Sequence, residues 1–569
     1  MMEHPPLPSD ICRKVVLFCL VTPLMAPGSA PQGLPKTRAE LTGYEETSRY
    51  EDVLGFMHGL ENQSRLLRQE FFGRTSEGRN LPLVIIANPP LSEPREAQES
   101  GKLVVFIMAD IHAGEVEGKE AVQTLARRLA AGDLRPMLEQ MVILLAPIYN
   151  ADGNERISTD NRSAQNGPVG GVGRRENAQG LDLNRDYMKL EAPESRALVR
   201  LFNRWDPYLV IDLHTSNGSH HGYHLTYSPP LNPDADARII SFERDRMLPE
   251  ITEVMRRRHK FRTYYYGNFS LQERLDREFA GFNSDAAGPP QGTRIWRTFD
   301  HHPRFGNNYV GLRNRLALLT EAYSYLDFRD RVAATEAFVE ETLKYSASHA
   351  REISRLIHRV DADTIRRADA EPPAQMGVEF QITALPKPVE ILVGQVGKET
   401  NPRSGREMTV MIQNKFVPAR MLNYGLFARS RSIPLPRAYI FPAEENLDPI
   451  IDILKAHGIA VEKVTEPATA ELEAFVIDEV KHSERTYQGH RETTLKGHNQ
   501  TTRMTFPAGS HLVRTAQPLA NLVFYLLEPE SDDGIVEWNL LDAHLAPGRT
   551  YPIYRITGKF DPASLRPGK

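Results

Sequence analysis

The spacing of apolar residues changes several times along this 569-residue chain, and each change marks a different kind of element. From Tyr50 to Leu67, Val53, Phe56, Met57 and Leu60 recur at helical spacing, which predicts an amphipathic helix. The pattern then becomes short, nearly continuous apolar runs at Leu81–Ala87, Leu103–Ala109, Met141–Ala146, Leu209–Leu213 and Leu316–Thr320. Runs of this kind suit strands buried on both faces of a mostly parallel sheet. Helix-like stretches lie between them, at Val116–Ala131, Pro193–Trp205 and Ala235–His259. The alternation predicts an α/β domain over residues 40–345, a mixed and mostly parallel sheet flanked by helices. Thr342–Ala368 reads as a charged helix, so 346–374 form a helical linker ending near Glu371-Pro372-Pro373. Beyond it, Val378–Val396 and Glu407–Phe416 alternate like antiparallel strands. Ala438–Pro442, Leu447–His457 and Ile459–Val464 fit a β–α–β unit, and Ala474–Leu527 is strand-rich. A smaller, mixed α/β domain is therefore expected over 375–569.

Composition narrows the function. The chain is 40% hydrophobic and 25% charged, ordinary for a globular protein. Its net charge of −5 gives no positive field for nucleic acid, which is set aside as a partner. Residues 1–30 read as a signal peptide: basic Arg13-Lys14, an apolar stretch Val15–Met25, then Ala-Pro-Gly-Ser-Ala at 26–30. The apolar stretch is too short to span a bilayer and contains Pro23, so no stable membrane span is expected after cleavage. The expected location is secreted or periplasmic. The only cysteines, Cys12 and Cys19, lie within this segment, so a mature chain would have neither disulfides nor thiolate chemistry.

Candidate chemistry collects where predicted strands end. Leu103–Ala109 is followed by His112 and Glu115, Leu209–Leu213 ends in His214, and Leu316–Thr320 ends in Glu321. In open α/β sheets, ligands bind in the crevice beyond the carboxyl ends of the strands. Two imidazoles and a carboxylate converging there match the three protein ligands of one catalytic zinc, with a fourth position left for water. Glu321 is then the spare carboxylate able to take a proton from that water. Each residue has a plainer reading: His-x-x-Glu is common in first helical turns, His214 suits a core histidine, and Glu321 could pair with Arg313 or Arg315. His220, His221, His224, His301 and His302 compete as imidazole donors.

Between these residues runs Arg174-Arg175-Glu176-Asn177-Ala178-Gln179-Gly180-Leu181-Asp182-Leu183-Asn184-Arg185. It resembles the Arg-x-Asn-Ala-x-Gly-x-Asp-Leu-Asn-Arg segment of the zinc carboxypeptidases, the carboxypeptidase A/B and E/N-like metallopeptidases. Gly73-Arg74-Thr75-Ser76-Glu77-Gly78-Arg79 and Asn150-Ala151-Asp152-Gly153 resemble two further segments of that family. The region from Gln517 to Glu530 resembles the tail of its large bacterial members.

The resemblance implies that His112, Glu115 and His214 bind zinc and that Glu321 is the general base. It implies that Asn184 and Arg185 bind a terminal carboxylate and that Arg175 polarises the scissile carbonyl. The family's substrate-capping tyrosine is placed at Tyr309, although it lies closer to Glu321 than the family spacing. The expected function is an exported metallocarboxypeptidase acting on peptides or peptide-like substrates with a free carboxylate. The alternatives are a same-fold amidohydrolase for peptidoglycan peptides or N-acyl amino acids, or an inactive binding protein. Oligomeric state is not encoded in any feature found.

Overall fold

The computed structural model describes residues 1–2, 33–271, 294–443, 446–558 and 565–566. The expected signal peptide, with both cysteines, lies outside the described residues apart from Met1 and Met2. Strands follow in chain order as β1 (Leu67–Arg74), β2 (Asn80–Ile86), β3 (Leu103–Ala109), β4 (Met141–Ala146), β5 (Leu209–Ser216), β6 (Leu225–Ser228), β7 (Thr263–Tyr265), β8 (Asn268–Leu271), β9 (Arg294–Arg297) and β10 (Leu316–Tyr323). Eight of them form one sheet in the order β1-β2-β4-β3-β5-β10-β6-β7. The central strands β4, β3, β5 and β10 run parallel, while β1–β2, β2–β4 and β10–β6 pair antiparallel, so the sheet is mixed.

All five apolar runs are strands of this sheet. β3, β4 and β5 are buried along their whole length, which is why they read as unbroken hydrophobic stretches. The helices Glu117–Ala131 and Pro193–Trp205 occupy the predicted places. At Gly118 the first of these lies so close to β5 that an added Cβ would stand 2.7 Å from the Leu213 Cβ. The helix from Tyr50 ends at Glu61, and β1 follows as a strand that sequence periodicity did not show. The predicted helix Ala235–His259 is interrupted by wide π turns at Phe242–Met247 and Met255–His259, with Pro249 at the start of the turn between them. Proline removes one backbone donor, so a regular hydrogen-bond ladder cannot run through it.

The charged helix is two helices, Phe328–Ser348 and Ala350–Arg367, so one element runs across residue 345. After it come β11 (Gln375–Thr383), β12 (Val389–Thr400), β13 (Glu407–Met421), β14 (Asn423–Tyr424), β15 (Leu426–Pro434), β16 (Ala438–Phe441), β17 (Glu462–Val464), β18 (Ala468–His482), β19 (Thr493–Phe506), β20 (His511–Arg514), β21 (Tyr554–Ile556) and β22 (Leu565–Arg566). β11–β15 and β12–β13 form two-stranded antiparallel ribbons. The last seven strands form an antiparallel sheet in the order β19-β18-β21-β16-β20-β17-β22. The helices Asp448–Ala456 and Ala520–Leu527 belong to this part.

Pro35–Lys569 form one compact unit. Trp205 and Tyr309 share a single hydrophobic cluster with Ile450, Leu454, Leu522 and Trp538. Strand β14 also pairs with β9. Burying aromatic side chains of this size contributes about 2–3 kcal/mol each, so the shared core holds the two regions firmly together.

Candidate active site

β3, β5 and β10 are adjacent and parallel, and their carboxyl ends carry His112, His214 and Glu321. Glu321 is the register partner of His214, so the sheet itself sets these two side by side. Three loop segments close around them. Asp152 accepts from the Thr75 hydroxyl at 2.7 Å, the Glu77 amide at 2.9 Å and Arg79 Nη1 at 2.7 Å, joining the Gly73–Arg79 and Asn150–Gly153 segments. The Asn150 amide nitrogen donates to the carbonyls of Arg175 (3.0 Å) and Ile111 (3.3 Å), which ties the arginine-rich segment to the loop of His112. At the other side, buried Arg331 donates to the carbonyls of Ser324 and Leu326 just beyond β10, and to those of Asn166 and Gly167. Hydrogen bonds from a charged group are worth about 1.5–3 kcal/mol each, so the end of β10 is well anchored.

His112, Glu115 and His214 form a buried cluster. The two Nδ1 atoms are 3.3 Å apart. Glu115 places Oε1 2.9 Å from His112 Nδ1 and Oε2 2.9 Å from His214 Nδ1. Four-coordinate ligands about 2.1 Å from a zinc ion stand about 3.4 Å from one another, so this donor set has the right chemistry and nearly the right spacing. The far sides of both rings meet carboxylates: His112 Nε2 lies 2.9 Å from Asp182 Oδ1, and His214 Nε2 lies 2.9 Å from Asp212 Oδ2. A carboxylate behind a ligating imidazole fixes its tautomer and leaves the other nitrogen's lone pair for a metal. The residues present therefore fit a zinc ion.

Charge is concentrated here. Burial opposes the ionised form of Glu115, but His112 and Arg162 outweigh it and hold its carboxyl well below the usual range. Burial likewise opposes a charged His214, and Asp212 and Glu115 raise it well above the ordinary value. Burial pushes the Glu321 carboxyl up to about 8, opposed by His214 and helped by Glu115. Glu321 Oε2 is buried without a hydrogen-bond partner, the position of a group that waits for a ligand atom.

A cleft of about 410 Å³ opens over these groups, lined by Arg162, Arg175, Asn184, Arg185, Tyr266, Phe299 and Phe305 besides the cluster itself. A larger hollow of about 580 Å³ lies elsewhere, against Phe242, Arg246 and Arg355, apart from the His-Glu-His cluster. Arg175 binds Asp182 through Nε (3.1 Å) and Nη2 (2.8 Å), with Nη1 3.7 Å from Glu115. Asn184 accepts from the Gly306 amide at 2.9 Å, and its own amide caps onto Asp182 at 2.9 Å. Arg185 stacks over the Phe305 ring at 3.9 Å.

Seven of the eight residues singled out in the sequence thus meet in one cleft. Tyr309 does not. It lies on the short helix Gly306–Leu312 and is fully buried in the shared core, 5.4 Å from the ring of Tyr187. Its hydroxyl bonds His457 Nδ1 at 2.8 Å, and His457 Nε2 reaches the Met188 carbonyl at 3.1 Å. The tyrosine that lines the cleft is Tyr266, whose hydroxyl accepts from Asn268 Nδ2 at 3.0 Å. Of the competing imidazoles, His301 and His302 face Asp300 and Asp532, and buried His221 packs tilted against Tyr323 with ring centroids 4.1 Å apart. Sequence reasoning also missed Arg162, which is paired with Glu115, and the two supporting carboxylates. Asp212 could have been found, since it precedes His214 by two residues and so shares its face of the strand.

A buried His-Glu-His cluster beside an unpartnered glutamate, with arginines across the same cleft, defines a zinc hydrolase of the metallopeptidase type. Residues 53–273 match the family model described as zinc carboxypeptidase, so this part of the chain carries a zinc carboxypeptidase domain, that of a metallocarboxypeptidase-type hydrolase. Carboxypeptidase 2 of Trichophyton tonsurans is 24% identical over 549 residues, spanning 93% of this chain and 89% of the relative. Carboxypeptidase Z of Homo sapiens is 28% identical over 178 residues, 29% of this chain and 25% of its own. Among solved structures, a metallo-carboxypeptidase from Burkholderia cenocepacia aligns with a TM-score of 0.37 at 18% identity, covering 52% of this chain and 69% of the other.

Proposed function

We propose that this enzyme is exported and releases C-terminal residues from peptides that carry a free carboxylate. His112, Glu115 and His214 would hold a zinc ion, which would supply Lewis acidity toward a water and a carbonyl. Glu321 takes the proton of the attacking water at its unpartnered Oε2 and passes it to the departing amine. Arg175 lies against the cluster and offers positive charge to the carbonyl oxygen as it becomes an oxyanion. Arg185 and Asn184 receive the terminal carboxylate, and stacking on Phe305 fixes the plane of the guanidinium. Tyr266 adds a phenol to the wall over the bound residue.

The observation that carries this reading is the presence, in one cleft, of the unpartnered Glu321 Oε2 and the stacked Arg185 guanidinium around the His-Glu-His cluster. The test is digestion of a peptide and of its C-terminal amide, read by mass spectrometry with and without a chelator. Loss of single C-terminal residues from the acid alone, abolished by chelation, is expected. Equal cleavage of the amide would remove the carboxypeptidase reading.

A further inference from the structure

The region after residue 375 has no place in the chemistry above, yet one of its hairpins reaches the active site. Strands β18 and β19 are joined through Ser483–Glu492, and at the tip Tyr487 and His490 exchange backbone hydrogen bonds of 2.7 and 2.9 Å. The two residues between them, Gln488 and Gly489, have φ of +50° and +85°. Such a pair of left-handed residues makes the tight two-residue hairpin turn that favours Asn, Asp or Gly at both positions. Glutamine at the first position carries a conformational cost, and residues held this way point to a use for the side chain.

Both tip side chains are used on the active site. Gln488 Oε1 accepts from the backbone amide of Asp182 at 3.1 Å, and Asp182 is the carboxylate behind His112 and the partner of Arg175. The Tyr487 hydroxyl accepts from Arg185 Nε at 2.9 Å. Arg185 Nη1 donates to the Asn184 carbonyl at 2.7 Å, and its face rests on Phe305. These three contacts leave Nη2 and the remaining Nη1 proton for a ligand.

The tip is itself held in place. Tyr487 stacks on buried Trp538 with ring centroids 6.3 Å apart, the Arg304 guanidinium lies 5.4 Å from the centre of the Tyr487 ring, and His490 Nε2 meets Glu191 at 2.8 Å.

We infer that the Tyr487–Gln488 tip supports the substrate-binding side of the cleft: Tyr487 is a positioning residue that aims Arg185 at the substrate's terminal carboxylate, and Gln488 fixes the backbone of Asp182. The C-terminal region thereby helps to set substrate affinity. The inference rests on the carboxylate role of Arg185 given above, and the experiment separates the two.

Tyr487→Phe deletes only the hydroxyl and keeps the stacking. In the full-length enzyme, assayed on one peptide with a free C-terminus, it should raise KM about threefold to tenfold, the effect of one hydrogen bond to a charged group acting at one remove. kcat, zinc content and melting temperature should stay near wild type. Gln488→Gly should relieve the left-handed backbone, leaving the melting temperature equal or higher while kcat/KM falls. Unchanged kcat/KM in both variants, with Arg185→Ala still impaired, would overturn the inference and leave the carboxylate role standing. A loss of activity that tracks a lower melting temperature in both variants would also overturn it, as a purely structural effect. Should the wild type cut acid and amide peptides alike, it is the role of Arg185 that fails.

Discussion

Asp182 ties His112 to Arg175 and to the Asn184 amide, and replacing it with asparagine tests the ligand geometry directly. Its Oδ1 lies 2.9 Å from His112 Nε2 and its Oδ2 takes both contacts from Arg175. Burial opposes its charge, but His112, then Arg185 and Arg175, hold the carboxyl well below the usual range. Asparagine preserves volume and one acceptor, so the cap onto the Asn184 amide can survive, but the negative charge behind His112 is gone. Loss of such a supporting carboxylate lowers metal affinity about 10–100-fold, or about 1.4–2.8 kcal/mol. The measurement is a competition titration of zinc between the protein and a chromophoric chelator at fixed pH, with the melting temperature of the zinc-free protein as a control for folding. Asp182→Asn should release zinc at correspondingly lower chelator concentration. Affinity within twofold of wild type in a normally folded variant would show that His112 does not bind metal through the nitrogen opposite Asp182.

Two further outcomes are expected. Glu321→Gln should keep its zinc, because no ligand is touched, and lose about 10²–10⁴ in kcat; turnover near wild type would remove Glu321 from the reaction. The second concerns pH and stability through His301, a ring packed between Phe380 and Phe427 and facing Asp300, His302 and the Tyr525-bonded Asp532. Burial works against its charge, but Asp532 and Asp300 hold it up at about 9. A histidine raised in the folded state stabilises fully below its unfolded value of about 6.5 and loses that contribution as pH rises through 9. The shift corresponds to roughly 3 kcal/mol. Melting temperature should therefore fall more steeply between pH 7 and 10 in wild type than in His301→Gln, and parallel curves would refute the assignment.

The central sheet was legible because strands buried on both faces cannot alternate. Leu103–Ala109 and Met141–Ala146 leave almost no other reading. β1, β6 and β7 were not legible, since each is short or partly exposed and takes its conformation from a neighbour. The metal cluster was legible for the same reason as the strands, because His112, His214 and Glu321 follow directly from them. What escaped were residues whose place depends on folding across long separations. Tyr266 reaches the cleft from the corner between β7 and β8, whereas Tyr309, nearer to Glu321 in sequence, belongs to a helix that packs inward. Arg162 stands in a polar loop with φ of +47° and carries no local signal at all.

Pairing Glu321 with His214 across β5 and β10 has a consequence for how such enzymes diversify. Neighbouring strands lie about 4.8 Å apart whatever their side chains, so the separation between the proposed base and the proposed metal ligand is borrowed from the backbone. The segment between the two strands, which supplies Tyr266, Phe299 and Phe305, can then be lengthened, replaced or reshaped without retuning the reacting pair. New substrate preferences are open to loop exchange in this chain, while a one-residue slip of β10, which would turn Glu321 to the opposite face, is not tolerated.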